Sequence, residues 1–395
     1  VMRVVQNCSE PLSILVRNKR GNIYIYEVFL THTARRETGA GQMEFVKTSG
    51  TRFVDSSGQP LDLRGCNVGN WLLLEMWMLD IQGITDQHDF EAILEKRFGK
   101  DVRHSLMETY RANYIQPRDF DIIKSFGFNV VRVPFDYAVV EDPEHPGTLD
   151  PDGITWLDRA VNMARDAGLY VILDMHGAPG RQSVDHTTGW AGQNRLWTDE
   201  KEQARMVSLW TALAVRYRDE TTVMGYDLVN EPFGDTKTEN HQPALIALID
   251  RLILAVRAVD TNHVLFAPGT FQGIEFYGKP ADRGWVNVAF TEHYYPGIFG
   301  SPSTFDSHAR FFGRRIPARA AHLEDVQATL LVGEFNVVFE HLKAAALMRK
   351  YFDEYARRGW ASTMWSYKLM RKNGGAGGAF WGMVANRDPL PPVNI

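Results

Sequence analysis

From about residue 48 the chain alternates between two textures. Short, unbroken apolar runs rich in β-branched residues occupy 61–67, 129–135, 170–176, 223–231, 263–268, 286–293, 328–334 and 360–367. Continuous hydrophobicity, as opposed to in–out alternation, is what strands buried on both faces require. Between the runs, apolar residues recur at helical spacing: Leu157, Ala160, Val161, Ala164 and Leu169; then Met206, Leu209, Trp210, Leu213 and Tyr217; then Leu245, Ile249, Leu252 and Val256. Strands and helices in strict alternation predict an α/β fold, and eight of them a closed (β/α)₈ TIM barrel. An open dinucleotide-binding sheet would want a Gly-rich phosphate turn after an early strand. The glycines of 374–378 (GGAGG) follow the last run and lack that spacing, so they read as a loop.

Two regions depart from the repeat. Residues 70–118 form a long insertion after the first strand, expected to place rim helices over a site. Residues 1–47 read as a short β appendage, with strands near 14–16 and 23–26 and Gly21 in the turn. The barrel itself is assigned to 48–395. A second hairpin is expected from Arg52–Val54 and 61–63, leading into the first strand.

Composition narrows the class. The 395 residues carry a net charge of −5, which gives no electrostatic case for nucleic acid or an anionic membrane. No apolar run is long enough for a membrane span. The two cysteines, Cys8 and Cys66, exclude a disulfide scaffold or multi-Cys zinc site and are expected to be free thiols. The chain begins VMRVVQ, which lacks the pattern of a signal peptide.

In such a barrel, functional residues cluster where strands end at the C-terminal face. The second strand carries Arg132, and the third ends in Asp174-Met175-His176. The fourth ends in Asn230-Glu231-Pro232 and the sixth in His293-Tyr294-Tyr295. The seventh ends in Gly333-Glu334-Phe335, and the eighth carries Trp365. A single strand-end Glu, Arg or His has a structural explanation; the convergence on one rim is what points to chemistry. Two carboxylates facing each other on strands 4 and 7 suit glycoside hydrolysis, one protonating the leaving oxygen and the other attacking the anomeric carbon. Arg132 and Tyr295 are expected to hold Glu334 as an anion, and repulsion from Glu334 to help keep Glu231 protonated. Asn230 is placed to meet a sugar 2-OH, and Trp365 to offer a flat face to a pyranose.

Seven strings in order, LRGCNVGNWLLLE, GFNVVRVPFDY, ILDMHGAPGRQ, YDLVNEP, EHYYPG, LLVGEF and MWSYK, resemble glycoside hydrolase family 5 over about residues 48–385. The resemblance implies a retaining β-glycosidase with Glu231 as acid/base and Glu334 as nucleophile. Arg132, His176, Asn230, His293, Tyr295 and Trp365 would bind substrate. The first and third strings are most similar to the exo-β-1,3-glucanase branch, which implies that Glu75 and Trp71 also contact substrate. Asn70, the loop from Arg181 to His186 and the GEFN string depart from that branch. The expected partner is therefore an oligo- or polysaccharide, with β-1,3-glucan ahead of β-1,4-glucan, β-mannan or aryl and lipid β-glucosides. That substrate class favours a secreted or periplasmic setting.

No cofactor or metal is expected. A metal-dependent hydrolase would want His-x-His on the first strand, and LRGCN has none. No G-x-S-x-G elbow supports a serine nucleophile. A non-catalytic carbohydrate-binding barrel would keep Trp71, Trp77, Trp190, Trp197 and Trp381 while losing a carboxylate, and both carboxylates are present. Trp190, Trp197 and Trp381 are expected on the rim, and Trp156, Trp210 and Trp285 in the core.

Overall fold

The computed structural model describes the backbone of residues 12–17 and 23–28, and residues 43–234, 241–298, 303–338, 343–370 and 381–385. It divides into two compact units, Val1–Gln42 and Met43–Ile395. In the first, Leu12–Arg17 and Ile23–Val28 pair antiparallel with Arg17 opposite Ile23. The turn expected at Gly21, and Cys8, lie outside the described residues.

The second unit is a closed barrel of eight strands, each hydrogen-bonded in parallel to its neighbours. In chain order they are β1 (Arg64–Asn67), β2 (Val130–Asp136), β3 (Tyr170–Gly177), β4 (Val223–Asp227), β5 (Val264–Pro268), β6 (Val288–Tyr294), β7 (Leu330–Phe335) and β8 (Ala361–Met364). Alternation within the apolar runs explains both layers. Val131, Val133 and Phe135 of β2 and Val171, Leu173 and Met175 of β3 join the large core shared with the helices. Their neighbours Val130 and Ile172, with Met224, Phe266, Ala289, Leu331 and Ala361, make a separate cluster inside the barrel. Two residues further along β2 and β3 that inner row turns polar: Val130 gives way to Arg132, and Ile172 to Asp174 and then His176. A dry plug therefore fills the lower barrel and a polar cup the upper.

The amphipathic helices follow the predicted stripes. Glu200–Tyr217 buries Met206, Leu209, Trp210, Leu213 and Tyr217, with Asp199 capping its N-terminus. Between β5 and β6 the described chain forms only the 3₁₀ turns Glu275–Tyr277 and Pro280–Arg283, where alternation predicted a full helix. The hairpin ahead of β1 also differs from expectation. Lys47–Ser49 pairs with Arg52–Val54 across Gly50, whose φ of +54° suits a residue without Cβ, while the expected partner at 61–63 is reduced to a bond from Leu61 N to Phe53 O beside a bridge between Pro60 and Val54. That hairpin delivers Phe53 to the barrel's inner cluster. The 70–118 insertion forms helices Gln87–Phe98 and Lys100–Tyr114 around a small core of its own, built on Leu74, Met76 and Met107. No helix among the described residues is long and apolar enough to cross a membrane. Cys66 is a buried free thiol whose pKa is raised by that burial.

Candidate active site

The polar cup is organised by one fully buried cation. Arg132 lies 2.9 Å from Asp227, 3.0 Å from Asp174 and 3.1 Å from Glu334, and donates to Asn67 at 3.0 Å and Asn230 at 2.8 Å. Three carboxylates around one guanidinium cannot all be charged cheaply in a dry site. Burial pushes Asp174 up to about 7 and Asp227 up to about 6, against the pull of Arg132. Asn67 and Asp227 were not singled out by sequence reasoning. Their signal was position alone, since Asn67 is the last residue of β1 and Asp227 the last of β4.

Glu334 accepts a hydrogen bond on each oxygen, from Arg132 Nη1 and, at 2.8 Å, from the Tyr295 hydroxyl. Opposite it, Glu231 Oε1 lies 2.8 Å from His293 Nδ1, and the same nitrogen is 3.5 Å from Glu334 Oε2. One atom from each of Glu231, His293 and Glu334 fits within a 4.8 Å span. A register shift between β6 and β7 sets up this meeting: Glu292 pairs with Val332, but His293 pairs with Glu334, skipping Gly333. Such bulges re-aim side chains beside active sites.

Glu231 itself lies beyond the end of β4, at a φ of +38° unusual for a residue with Cβ. Asn230 N donates to Met175 O and Phe233 N to Glu231 O, fixing the chain on both sides. Burial raises the Glu231 carboxyl to about 7, with Asp185 adding to the rise. Desolvation therefore leads, where repulsion from Glu334 was expected to contribute. Burial also lowers His176 and His293 to about 4, so both are neutral near pH 7.

His176 Nδ1 sits 2.7 Å from Asp174, and its Nε2 3.3 Å from Asn230 Nδ2. Asn230 Oδ1 is taken by Arg132, which aims the amide nitrogen into the cup; one of its two hydrogens remains for a ligand. Gln182, also missed in the sequence, ties this corner together by donating to His176 O and Asn230 O.

The aromatic residues divide differently from expectation. Trp365 stacks on His176 at 5.3 Å and is 4% exposed, so it is a wall of the cup and not an open platform. Trp71 is a correction: its ring is fully buried in the main core, edge-on to Trp156, and its Nε1 donates to Arg111 O. The apolar run that follows it turns the ring inward, leaving no face for a sugar. Trp197 is likewise core, donating to Gln182 O. Glu75 is nearly buried, receives Trp77 Nε1 at 2.6 Å, and is pushed up to about 8 by burial. Trp381 packs edge-on against Trp77 and beside Tyr295. Trp190 lies stacked on His88 of the insertion at 3.9 Å.

The arrangement therefore brings a Glu334 hydrogen-bonded on both oxygens within 4.8 Å of a Glu231 whose burial favours its protonated form. A family profile described as Cellulase (glycosyl hydrolase family 5) matches residues 96–370. A β-xylosidase of Phanerodontia chrysosporium is 34% identical over 263 residues, which cover 66% of this chain and 54% of that protein. A probable glucan 1,3-beta-glucosidase A of Aspergillus clavatus is 36% identical over 176 residues, 43% of this chain and 41% of the relative. The chain thus spans about half the length of these curated relatives. Among solved structures, rutinosidase from Aspergillus niger shares the fold with a TM-score of 0.67 at 18% identity, covering 81% of this chain and 95% of that one. With the family profile matched over most of its length and a barrel of the same architecture beneath it, the chain belongs to glycosyl hydrolase family 5.

Proposed function

We propose that this cup hydrolyses β-glycosides with retention, Glu334 acting as nucleophile and Glu231 as acid/base. The observation that carries the reading is the carboxylate pair: an oxygen of each lies within 4.8 Å of the other. Retaining pairs stand about 5 Å apart, whereas inverting pairs need about 6.5–9.5 Å to admit a water.

In the first step a Glu334 oxygen attacks the anomeric carbon as the glycosidic C–O bond breaks, and Glu231 gives its proton to the departing oxygen. In the second, Glu231 takes a proton from water, whose oxygen attacks the same carbon and releases Glu334. Arg132 and Tyr295 orient the nucleophile, one on each of its oxygens. Asn230 Nδ2 is free to hold the 2-OH, where a hydrogen bond strengthens in the transition state.

The proposed substrate is a β-glucan, with β-1,3 linkage favoured over β-1,4-glucan, β-mannan and aryl or lipid β-glucosides. The relative named as a glucan 1,3-beta-glucosidase supports that order. A β-xyloside is the second reading, favoured by the relative named as a β-xylosidase. Azide rescue tests the roles. With an activated β-glycoside, Glu334→Ala should form an α-glycosyl azide and Glu231→Ala a β-glycosyl azide; swapped products would reverse the assignment. Products from laminarin, cello-, manno- and xylo-oligosaccharides then decide the sugar, glucose alone from laminarin supporting exo action on β-1,3-glucan.

A further inference from the structure

Past β1 the chain runs on along β2, with Val68 N on Arg132 O at 2.8 Å and Asp136 N on Leu72 O at 3.1 Å. Between those anchors stands Asn70, buried, at a φ of +60°. Glycine takes that conformation freely, whereas a residue with Cβ meets a steric cost that its side chain must offset. Here the side chain closes the loop on itself: Asn70 Oδ1 accepts from Glu75 N at 2.7 Å. The helical insertion braces the same loop from outside. The Tyr110 hydroxyl donates to Asn70 O, Trp71 Nε1 donates to Arg111 O at 2.8 Å, and Leu74 N donates to Gln87 Oε1 at 2.8 Å.

What this bracing aims is Glu75. Its carboxylate accepts from Trp77 Nε1 at 2.6 Å, and Trp77 packs in one apolar cluster with Trp365 and Tyr295 of the cup. His186, Glu231 and Glu334 all lie close enough for their charges to act on it. Glu75 stands directly before the 3₁₀ turn Met76–Leu79, so a slip at its backbone N–H would swing the carboxyl and Trp77 together. We propose that Asn70 is a positioning residue whose side chain holds Glu75 against the cup, so that the Glu75 carboxyl meets a hydroxyl of the bound sugar. The sugar contact rests on the glycosidase reading; the positioning rests on the loop's own geometry.

Asn70→Gly tests it, because Gly keeps the φ and removes the bond to Glu75 N. In protein isotope-labelled at its glutamate carboxyl carbons, the Glu75 signal is identified by its loss in Glu75→Gln. It should titrate at about pH 8 in the unaltered protein, where burial holds the carboxyl up. In Asn70→Gly the carboxyl gains water, and the midpoint should fall by about one pH unit or more; an unchanged midpoint overturns the positioning. The consequence for substrate is read in a double-mutant cycle. Asn70→Gly should lower kcat/KM for an aryl β-glucoside about tenfold alone, and less than about twofold when Glu75 is already Ala. A merely structural role would give equal losses in both backgrounds, and that result also overturns the inference. Should Asn70→Gly fail to fold, Tyr110→Phe removes the brace on Asn70 O and is held to the same two outcomes. If the unaltered protein hydrolyses no β-glycoside, the glycosidase reading is the part that fails, and the Glu75 titration still decides what Asn70 does.

Discussion

The hydroxyl of Tyr295 donates to Oε2 of Glu334 at 2.8 Å, from a position two residues beyond the histidine that pairs with Glu231. One strand end thus governs both carboxylates. A hydrogen bond to a charged group is worth about 1.5–3 kcal/mol. Tyr295→Phe should therefore lower kcat/KM about tenfold to a hundredfold while leaving the melting temperature nearly unchanged. A change under twofold would show that Arg132 orients Glu334 unaided.

In its proposed role as acid/base, Glu231 must hold its proton when the leaving group departs, and burial raises its pKa to about 7. The basic limb of kcat/KM against pH should accordingly fall with a midpoint near pH 7. Glu231→Gln should abolish that limb for a substrate with a good leaving group that needs no protonation. If the limb persists unchanged in the variant, another group sets it.

Stability should follow pH in two opposing windows. Glu75, Asp174, Asp227 and Glu231 are all raised by burial, to about 8, 7, 6 and 7. Each contributes stability that is present in full below its unfolded pKa and lost as pH rises through the folded one. His176 and His293 are depressed to about 4, so their contribution is present above about pH 6.5 and lost as pH falls. With four raised acids against two depressed histidines, the contribution of these groups should fall as pH rises from about 4.5 to 8. In thermal melts, Glu75→Gln should flatten the decline between about pH 4.5 and 8, the span from its ordinary pKa to its raised one. A decline of the same slope in that variant would remove Glu75 from the account.

Trp71 separates a core role from a substrate role. Its ring is fully buried and its indole N–H is paired with Arg111 O. Trp71→Ala should cost about 3–5 kcal/mol in chemical denaturation. KM for the folded fraction should stay within about twofold, since the indole touches no ligand space. A large KM change with little loss of stability would restore the substrate contact.

The barrel was legible in the sequence because strands buried on both faces must be apolar throughout, and the runs that became β1 to β8 could be counted directly. The strand-end residues were legible for a related reason: a polar group closing an apolar run has to face the one polar place available, the open end of the barrel. That reasoning located Arg132, His176, Asn230, Glu231, His293, Tyr295 and Glu334 before any geometry. Three things needed the tertiary structure. Only the slip between β6 and β7 put His293 alongside Glu334, because register depends on neighbouring strands and leaves no mark in either run. Only packing sent Trp71 into the core and left Phe271 outside it, since the same side chain serves either place. And only the burial of Asp174, Asp227 and Glu231 raised their pKa values, because desolvation is set by everything around a group and not by its place in the chain.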